Sequence, residues 1–160
     1  MAAVATRAGD VFALYRSATD MVNRDMYLLA SHDSGRTFDS GRTFSDQKID
    51  AWDVGYCVMS SAALAEGRGS ALAAWETKSQ IYFGHIDASA NRIAPVVQAP
   101  GDGTKRKHPS IAANSNGRTI LAWTDGMGWK KGGSLAGRCT MRRSSRSAKL
   151  DTAMVYRSGA

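Results

Sequence analysis

Residues 31–38 read Ser-His-Asp-Ser-Gly-Arg-Thr-Phe, and this stretch decides the expected fold class of the chain. Its aspartate, Asp33, stands two residues before Gly35 and four before Thr37. An aspartate in such a place folds its carboxylate back onto backbone N–H groups further along a turn. Gly35 supplies the positive φ that a tight hairpin needs. The stretch therefore predicts a β-hairpin turn that satisfies its own polar groups.

The pattern Ser-x-Asp-x-Gly-x-Thr-Phe resembles the Asp-box, or BNR repeat, of sialidases and related β-propellers. The five fixed positions of that motif are Ser31, Asp33, Gly35, Thr37 and Phe38 in this chain. The resemblance implies a structural role, because Asp-boxes lie on the periphery of a propeller and away from its pocket. A carboxylate held by N–H donors is also a poor acid or base. We therefore expect the motif to identify a fold and not a catalytic residue.

The hexapeptide Asp-Ser-Gly-Arg-Thr-Phe is repeated at once, at residues 39–44. A second Asp-box should lie one blade further along the chain, not six residues away. We interpret the repeat as a six-residue insertion in the same hairpin.

Strand-like segments and turns recur along the chain with a period in the forties, which is typical of stacked four-stranded blades. Tyr15, Trp75 and Trp123 each end a strand-like segment, at separations of 60 and 48 residues. Six of the twelve extra residues in the longer interval are the duplicated hexapeptide. The residues matched at the separation of 48 are Gly69 with Gly117, Leu72 with Ile120, Ala74 with Ala122, and Trp75 with Trp123.

The wider pattern is similar to that of a bacterial group of sialidase-like propeller proteins, many of uncharacterised function. The similar segments are residues 24–29, 72–77, 107–112 and 121–124. We expect an all-β chain: an incomplete, sialidase-like β-propeller of about three four-stranded antiparallel blades over residues 1–136. The pattern of alternation ends there, so residues 137–160 are expected to be a basic tail of unclear structure.

Complete sialidase-like propellers have six blades, so the resemblance implies that this chain is part of one. An arc of three blades leaves sheet faces and edges exposed. Either a second copy completes the ring, or the chain is marginally stable and prone to aggregate.

The 160 residues carry a net charge of +7, but the basic excess is concentrated at the end of the chain. Residues 137–160 hold six basic residues and one acidic residue, so the remainder carries only +2. A basic tail is most often solvated, and we do not expect nucleic acid as a partner. No apolar run reaches the length of a membrane span, and no signal peptide is visible, although the resembled family is often exported. Cys57 and Cys139 form neither a disulfide framework nor a metal spacing, and no metal or other cofactor is expected.

The resemblance also implies what a catalytic site would contain. Sialidases hold the substrate carboxylate with three arginines, use a tyrosine assisted by a glutamate as nucleophile, and use an aspartate as acid and base. The residues nearest in type are Arg16, Arg24, Asp25 and Glu76, which stand at the ends of strand-like segments. None of them lies in a motif of the family, so a surface pair or an ion pair between blades explains Arg24 and Asp25 equally well. Trp129, beside two lysines, suits stacking on a sugar ring or belongs to a solvated loop.

The complete catalytic set of a sialidase is not visible in this sequence. The favoured interpretation is a carbohydrate-directed propeller domain, either a glycan binder or a relative of glycoside hydrolases, with glycans as ligands. If the chain is active, it is expected to be a sialidase-type glycoside hydrolase, but the chain alone favours no enzymatic activity. The alternative is a non-catalytic structural or protein-interaction propeller module.

Overall fold

We analysed a computed structural model of the chain, which describes residues 1–38, 47–128 and 131–141. The described residues contain no helix and form twelve strands in three antiparallel sheets. Consecutive strands are neighbours in every sheet, as in a meander. The prediction of an all-β chain is therefore confirmed. The duplicated hexapeptide and Trp129 lie outside the described residues.

The first sheet has the order β1-β2-β3-β4. Its strands are β1 (Ala2–Ala5), β2 (Val11–Arg16), β3 (Met26–Ser31) and β4 (Gln47–Asp50). Strand β2 pairs with β3 along its whole length, from Val11 opposite Ser31 to Arg16 opposite Met26. Two stacked rings, Tyr15 and Tyr27, lie opposite each other in this pair, with centroids 5.7 Å apart.

The second sheet has five strands. They are β5 (Ala62–Gly67), β6 (Ser70–Thr77), β7 (Gln80–Asp87), β8 (Arg92–Ile93) and β9 (Val97–Gln98). Both short strands pair with β7, one after the other along its length. The alanine-rich segment at residues 62–66 is a strand, as predicted, although its composition also suits a helical turn. The strand expected at residues 56–60 is wrong, because that segment forms no strand.

The third sheet consists of β10 (Lys107–Ala113), β11 (Arg118–Asp125) and β12 (Ser134–Met141). Strand β12 pairs with β11 over eight residues and continues five residues beyond the boundary expected at Ala136. Arg138 lies within this strand and is 8% exposed, so the basic segment begins inside the sheet. Its remaining residues, 142–160, lie outside the part of the chain that the structure describes.

The second sheet is covered on both faces because successive side chains of a strand point to opposite sides. Ala71, Ala73 and Trp75 belong to a core cluster shared with the first sheet. Leu72 and Ala74 belong to a second cluster, shared with the third sheet. The three sheets therefore form a stack, with one apolar core in each of its two gaps.

The antiparallel order gives the stack two ends. The hairpins at Gly9, Gly69 and Gly117 lie at one end, together with Ser31. Backbone N–H groups link these elements: Ser34 donates to Gly9 O at 3.0 Å. We call this the Asp33 end. The residues around Arg16, where β2, β6 and β11 finish, form the other end, which we call the Arg16 end.

Candidate functional site

The turn that follows β3 satisfies its own polar groups. Thr37 donates twice to the Asp33 carboxylate, from its backbone N to Oδ1 at 2.8 Å and from Oγ1 to Oδ2 at 2.6 Å. Ser31 Oγ donates to Asp33 Oδ1 at 2.7 Å and accepts from Gly35 N at 3.0 Å. Gly35 has φ +83°, and Ser34 has φ +64°. These are the hydrogen bonds that the sequence predicts for a carboxylate folded back onto its turn.

This geometry sets the charge state of Asp33. The hydrogen bonds from the Thr37 side chain, the Thr37 backbone and Ser31 hold the pKa of the Asp33 carboxyl well below its ordinary value. A carboxylate that stays ionised and fully engaged neither takes up nor releases a proton near neutral pH. The Asp33 turn is therefore a structural element of the hairpin.

At the opposite end, Arg16 bridges the first and second sheets. Its guanidinium donates to Ser60 Oγ at 2.7 Å, to the carbonyl of Arg24, to the carbonyl of Glu76 at 2.5 Å and to Thr77 Oγ1 at 3.0 Å. Burial lowers the pKa of Arg16, and the nearby carboxylates, Glu76 first, partly oppose that change. Its planar fork is occupied by internal acceptors, so it cannot also bind a substrate carboxylate bidentately.

The adjacent pair Arg24 and Asp25 divides between two local tasks. Arg24 donates to two nearby backbone carbonyls, those of Met21 at 2.8 Å and Asn23 at 3.1 Å. The buried Asp25 carboxylate accepts from Trp52 N at 3.0 Å and forms an ion pair with Lys48 Nζ at 2.6 Å. The hydrogen bond from Lys48 is the main reason that the pKa of Asp25 is lowered. This arrangement attaches β4 and the segment after it to the start of β3.

Glu76 is the most enclosed of the predicted site residues, with 0% of its surface exposed. Its Oε1 accepts from Ser79 N at 3.0 Å, across the turn between β6 and β7. Its Oε2 faces Lys107 Nζ of the third sheet at 3.5 Å and has no hydrogen-bond partner. Arg16 and Glu76 thus connect three sheets in sequence: first to second, and second to third.

The structure therefore brings Arg16, Arg24, Asp25 and Glu76 to one end of the stack, as expected for strand ends. It places the Asp33 turn at the other end. Each of the four side chains is engaged with the protein itself. The fifth predicted residue, Trp129, lies outside the described part of the chain.

Sequence reasoning missed a cleft of about 810 Å³ at the Asp33 end. All three sheets contribute to its lining, so its residues are scattered along the chain. Volumes of this size suit small-molecule or saccharide ligands. The polar and aromatic lining residues include Asp10, Glu66, Arg68, Phe83, His85, Asp87, Ser89, Thr119 and Thr140.

Hydrogen bonds fix several polar groups of this cleft. The carboxylate of Glu66 accepts from Arg7 N at 2.8 Å, which ties the hairpin of the first sheet to the second sheet. Asp10 Oδ1 lies 2.7 Å from His32 Nδ1. Ser89 Oγ donates to Asp87 at 2.7 Å and is the main cause of the lowered pKa of Asp87. The cleft therefore presents fixed, ionised acceptors and the cation of Arg68 to whatever enters it.

Within residues 1–38, 47–128 and 131–141, no group of three or more His, Cys, Asp or Glu side chains is arranged to hold a metal ion. The same residues contain no helix that is long and apolar enough to cross a membrane. A scan of protein-family models, a search of curated proteins and a search of solved structures each find no match to this chain.

Proposed function

We propose that this chain is an arc of a sialidase-like β-propeller and that it binds carbohydrate in the cleft at the Asp33 end. The propeller is supported by three meander sheets stacked face to face and by the self-satisfied turn at residues 31–37. The cleft of about 810 Å³ is the observation that carries the binding function.

The chemistry of the cleft suits sugar hydroxyl groups. Carboxylates such as those of Asp10 and Asp87 accept hydrogen bonds from hydroxyls, and the guanidinium of Arg68 donates to hydroxyl and ring oxygens. Phe83 adds an apolar surface for the C–H face of a ring. A mixture of fixed polar groups with a hydrophobic wall is characteristic of small-ligand sites.

Binding without hydrolysis fits the engagement of the residues at the Arg16 end. A sialidase needs arginines that are free to hold a carboxylate, and Arg16 donates to four internal acceptors. A catalytic glutamate must reach its partner in the pocket, and Glu76 is fully enclosed beside Lys107. These contacts favour a domain that recognises glycans over one that cleaves them.

The test is a binding titration of the full chain with neutral and sialylated oligosaccharides, together with a fluorogenic sialoside assay. We expect binding of at least one oligosaccharide and no turnover. Arg68→Ala should weaken the binding about tenfold, since a hydrogen bond to a charged group contributes about 1.5–3 kcal/mol. Arg36→Ala is the matched control, because this exposed arginine lies at the same end but outside the cleft. Unchanged affinity in Arg68→Ala, or no binding to any of the sugars, would refute the proposal.

A second candidate function is that of an interaction module. It is favoured by large hydrophobic side chains that stand exposed on the outer face of the third sheet. Ile120 and Leu135 are each 52% exposed there. A contiguous apolar surface of this kind typically marks a protein contact.

A further inference from the structure

The same joint between sheets occurs twice inside this chain. In each joint, one face of a sheet packs against the opposite face of the next sheet. We call the face that carries Trp75 the front face of the second sheet, and the face that carries Leu72 its back face. At the separations of 60 and 48 residues, the front faces hold Val11, Ala13 and Tyr15; Ala71, Ala73 and Trp75; and Thr119, Leu121 and Trp123. The corresponding back faces hold Phe12 and Leu14; Leu72 and Ala74; and Ile120 and Ala122.

The core clusters follow this rule in both gaps. Phe12 and Leu14, from the back of the first sheet, share a cluster with Ala73 and Trp75, from the front of the second. The equivalent residues of the next gap share the second cluster: these are Leu72 and Ala74 from the back of the second sheet, and Leu121 and Trp123 from the front of the third.

The stack leaves one front face and one back face without a partner among the described residues. On the first sheet, Ala13 and Tyr15 alternate with the buried Phe12 and Leu14 but belong to neither core cluster. On the third sheet, Ile120 is 52% exposed, whereas its equivalent Leu72 is 3% exposed. The difference arises because Leu72 has a following sheet to pack against.

We propose that the back face of the third sheet packs against the front face of the first sheet of a second copy of this chain. The two open faces are the two halves of the joint that the chain already builds twice. The partner that fits the back of the third sheet is therefore a front face, and this chain carries a free one. Packing Ile120 in that joint removes it from water, as Leu72 is removed in the internal joint.

Area determines how many such joints a stable assembly needs. Three strands of seven to eight residues cover about 14 Å by 26 Å, at about 4.8 Å between strands and 3.3 Å per residue. One joint then buries roughly 750 Å² over both partners, which is no more than a typical crystal contact. Two joints bury roughly 1,500 Å², close to a standard stable interface. The assembly is therefore a closed pair, in which each chain uses both of its open faces.

A front-to-back joint is heterologous, and a heterologous interface closes into a ring when its rotation permits. Two chains of three sheets then form one ring of six sheets, with no open face remaining. Pairing of like faces, back to back, would leave both front faces exposed. The two arrangements differ in which substitutions break them.

The experiment is light scattering coupled to size exclusion, on the full chain and on variants of each face. We expect the full chain to have twice the mass of one chain. Ile120→Lys on the back face and Ala13→Lys on the front face should each halve that mass, because either change disrupts both joints. Leu135→Lys is a second back-face variant at an equally exposed position. Val22→Lys is the matched control, since Val22 is a β-branched residue 44% exposed in a connection at the Arg16 end, and it should keep the double mass.

Circular dichroism of each variant separates loss of association from loss of folding. A single-chain mass for the folded full chain would overturn the proposal. A double mass that survives Ala13→Lys but not Ile120→Lys would also overturn it, in favour of back-to-back pairing. The inference rests on the stacking of the sheets and not on carbohydrate binding, so a negative sugar titration leaves it standing.

Discussion

Trp75 and Trp123 occupy equivalent places in two sheets, yet their indole N–H groups differ. Both side chains are buried, at 0% and 1% exposure. Trp75 Nε1 donates to Asp50 Oδ2 at 3.1 Å, which connects the second sheet to β4 of the first. Trp123 Nε1 is buried without a hydrogen-bond partner. The pair therefore permits one substitution to be made in two matched environments.

Replacement of either tryptophan by phenylalanine removes a similar volume from a core, so the cavity contributions largely cancel. The substitution Trp75→Phe also removes a hydrogen bond to a carboxylate, worth about 1.5–3 kcal/mol. In contrast, Trp123→Phe removes an unpaired polar group whose burial is unfavourable, at the cost of a weaker contact with the Arg106 guanidinium, 5.5 Å above the ring. We expect Trp75→Phe to lower the free energy of unfolding by about 1–3 kcal/mol more than Trp123→Phe does.

The assay is urea unfolding at one fixed protein concentration, followed by circular dichroism, with equal denaturant slopes as the condition for comparison. A tryptophan-independent signal is needed because each variant loses one fluorophore. Equal losses in the two variants, or a larger loss in Trp123→Phe, would refute the assigned roles of the two indole groups.

Three further predictions follow from individual contacts. Asp33→Asn should be less stable than the original chain above the ordinary Asp pKa of 3.8, and the difference should shrink as the pH falls below it. The reason is that the lowered pKa of Asp33 stabilises the fold only while the carboxylate is ionised, and thermal melts of both proteins across acidic pH check it. Gly84→Ala should cost about 1–3 kcal/mol in urea unfolding, because an added Cβ would lie 2.6 Å from both Pro95 O and Ile93 Cγ2. Arg16→Lys should cost about 2 kcal/mol or more in the same assay, since a lysine cannot reproduce the fork of hydrogen bonds, whereas Arg24→Lys should cost less.

Local patterns predicted much of the fold. The strands at residues 11–16, 80–87 and 118–124 were placed within one residue of their observed bounds. They are bounded by turn residues and alternate between core and outer face, both of which are readable over a few positions. The hydrogen bonds of Asp33 were predictable for the same reason, because all of its partners lie within four residues.

Long-range partners explain what the sequence could not show. The partners of Arg16 include Ser60 and Thr77, which lie 44 and 61 residues away. Nothing local distinguishes such a bridging arginine from one that is free to bind a ligand. The cleft has the same origin, because its lining comes from three sheets. The apolar residues 56–60 resemble a strand in composition but find no neighbouring strand with which to pair.

Cross-linking tests the central claim, that the two outer faces of the stack are the two halves of one joint. Cys139 lies exposed on the back face of the third sheet, beside Ile120. In a Cys57→Ser background, Ala13→Cys places a second thiol on the front face of the first sheet. Within one chain these thiols are separated by two sheet spacings, about 20 Å, with the second sheet between them. A short bis-maleimide should therefore join residue 13 of one chain to residue 139 of another, as read by mass spectrometry of the linked peptides. Links between two copies of residue 139, or no link between chains, would contradict the account.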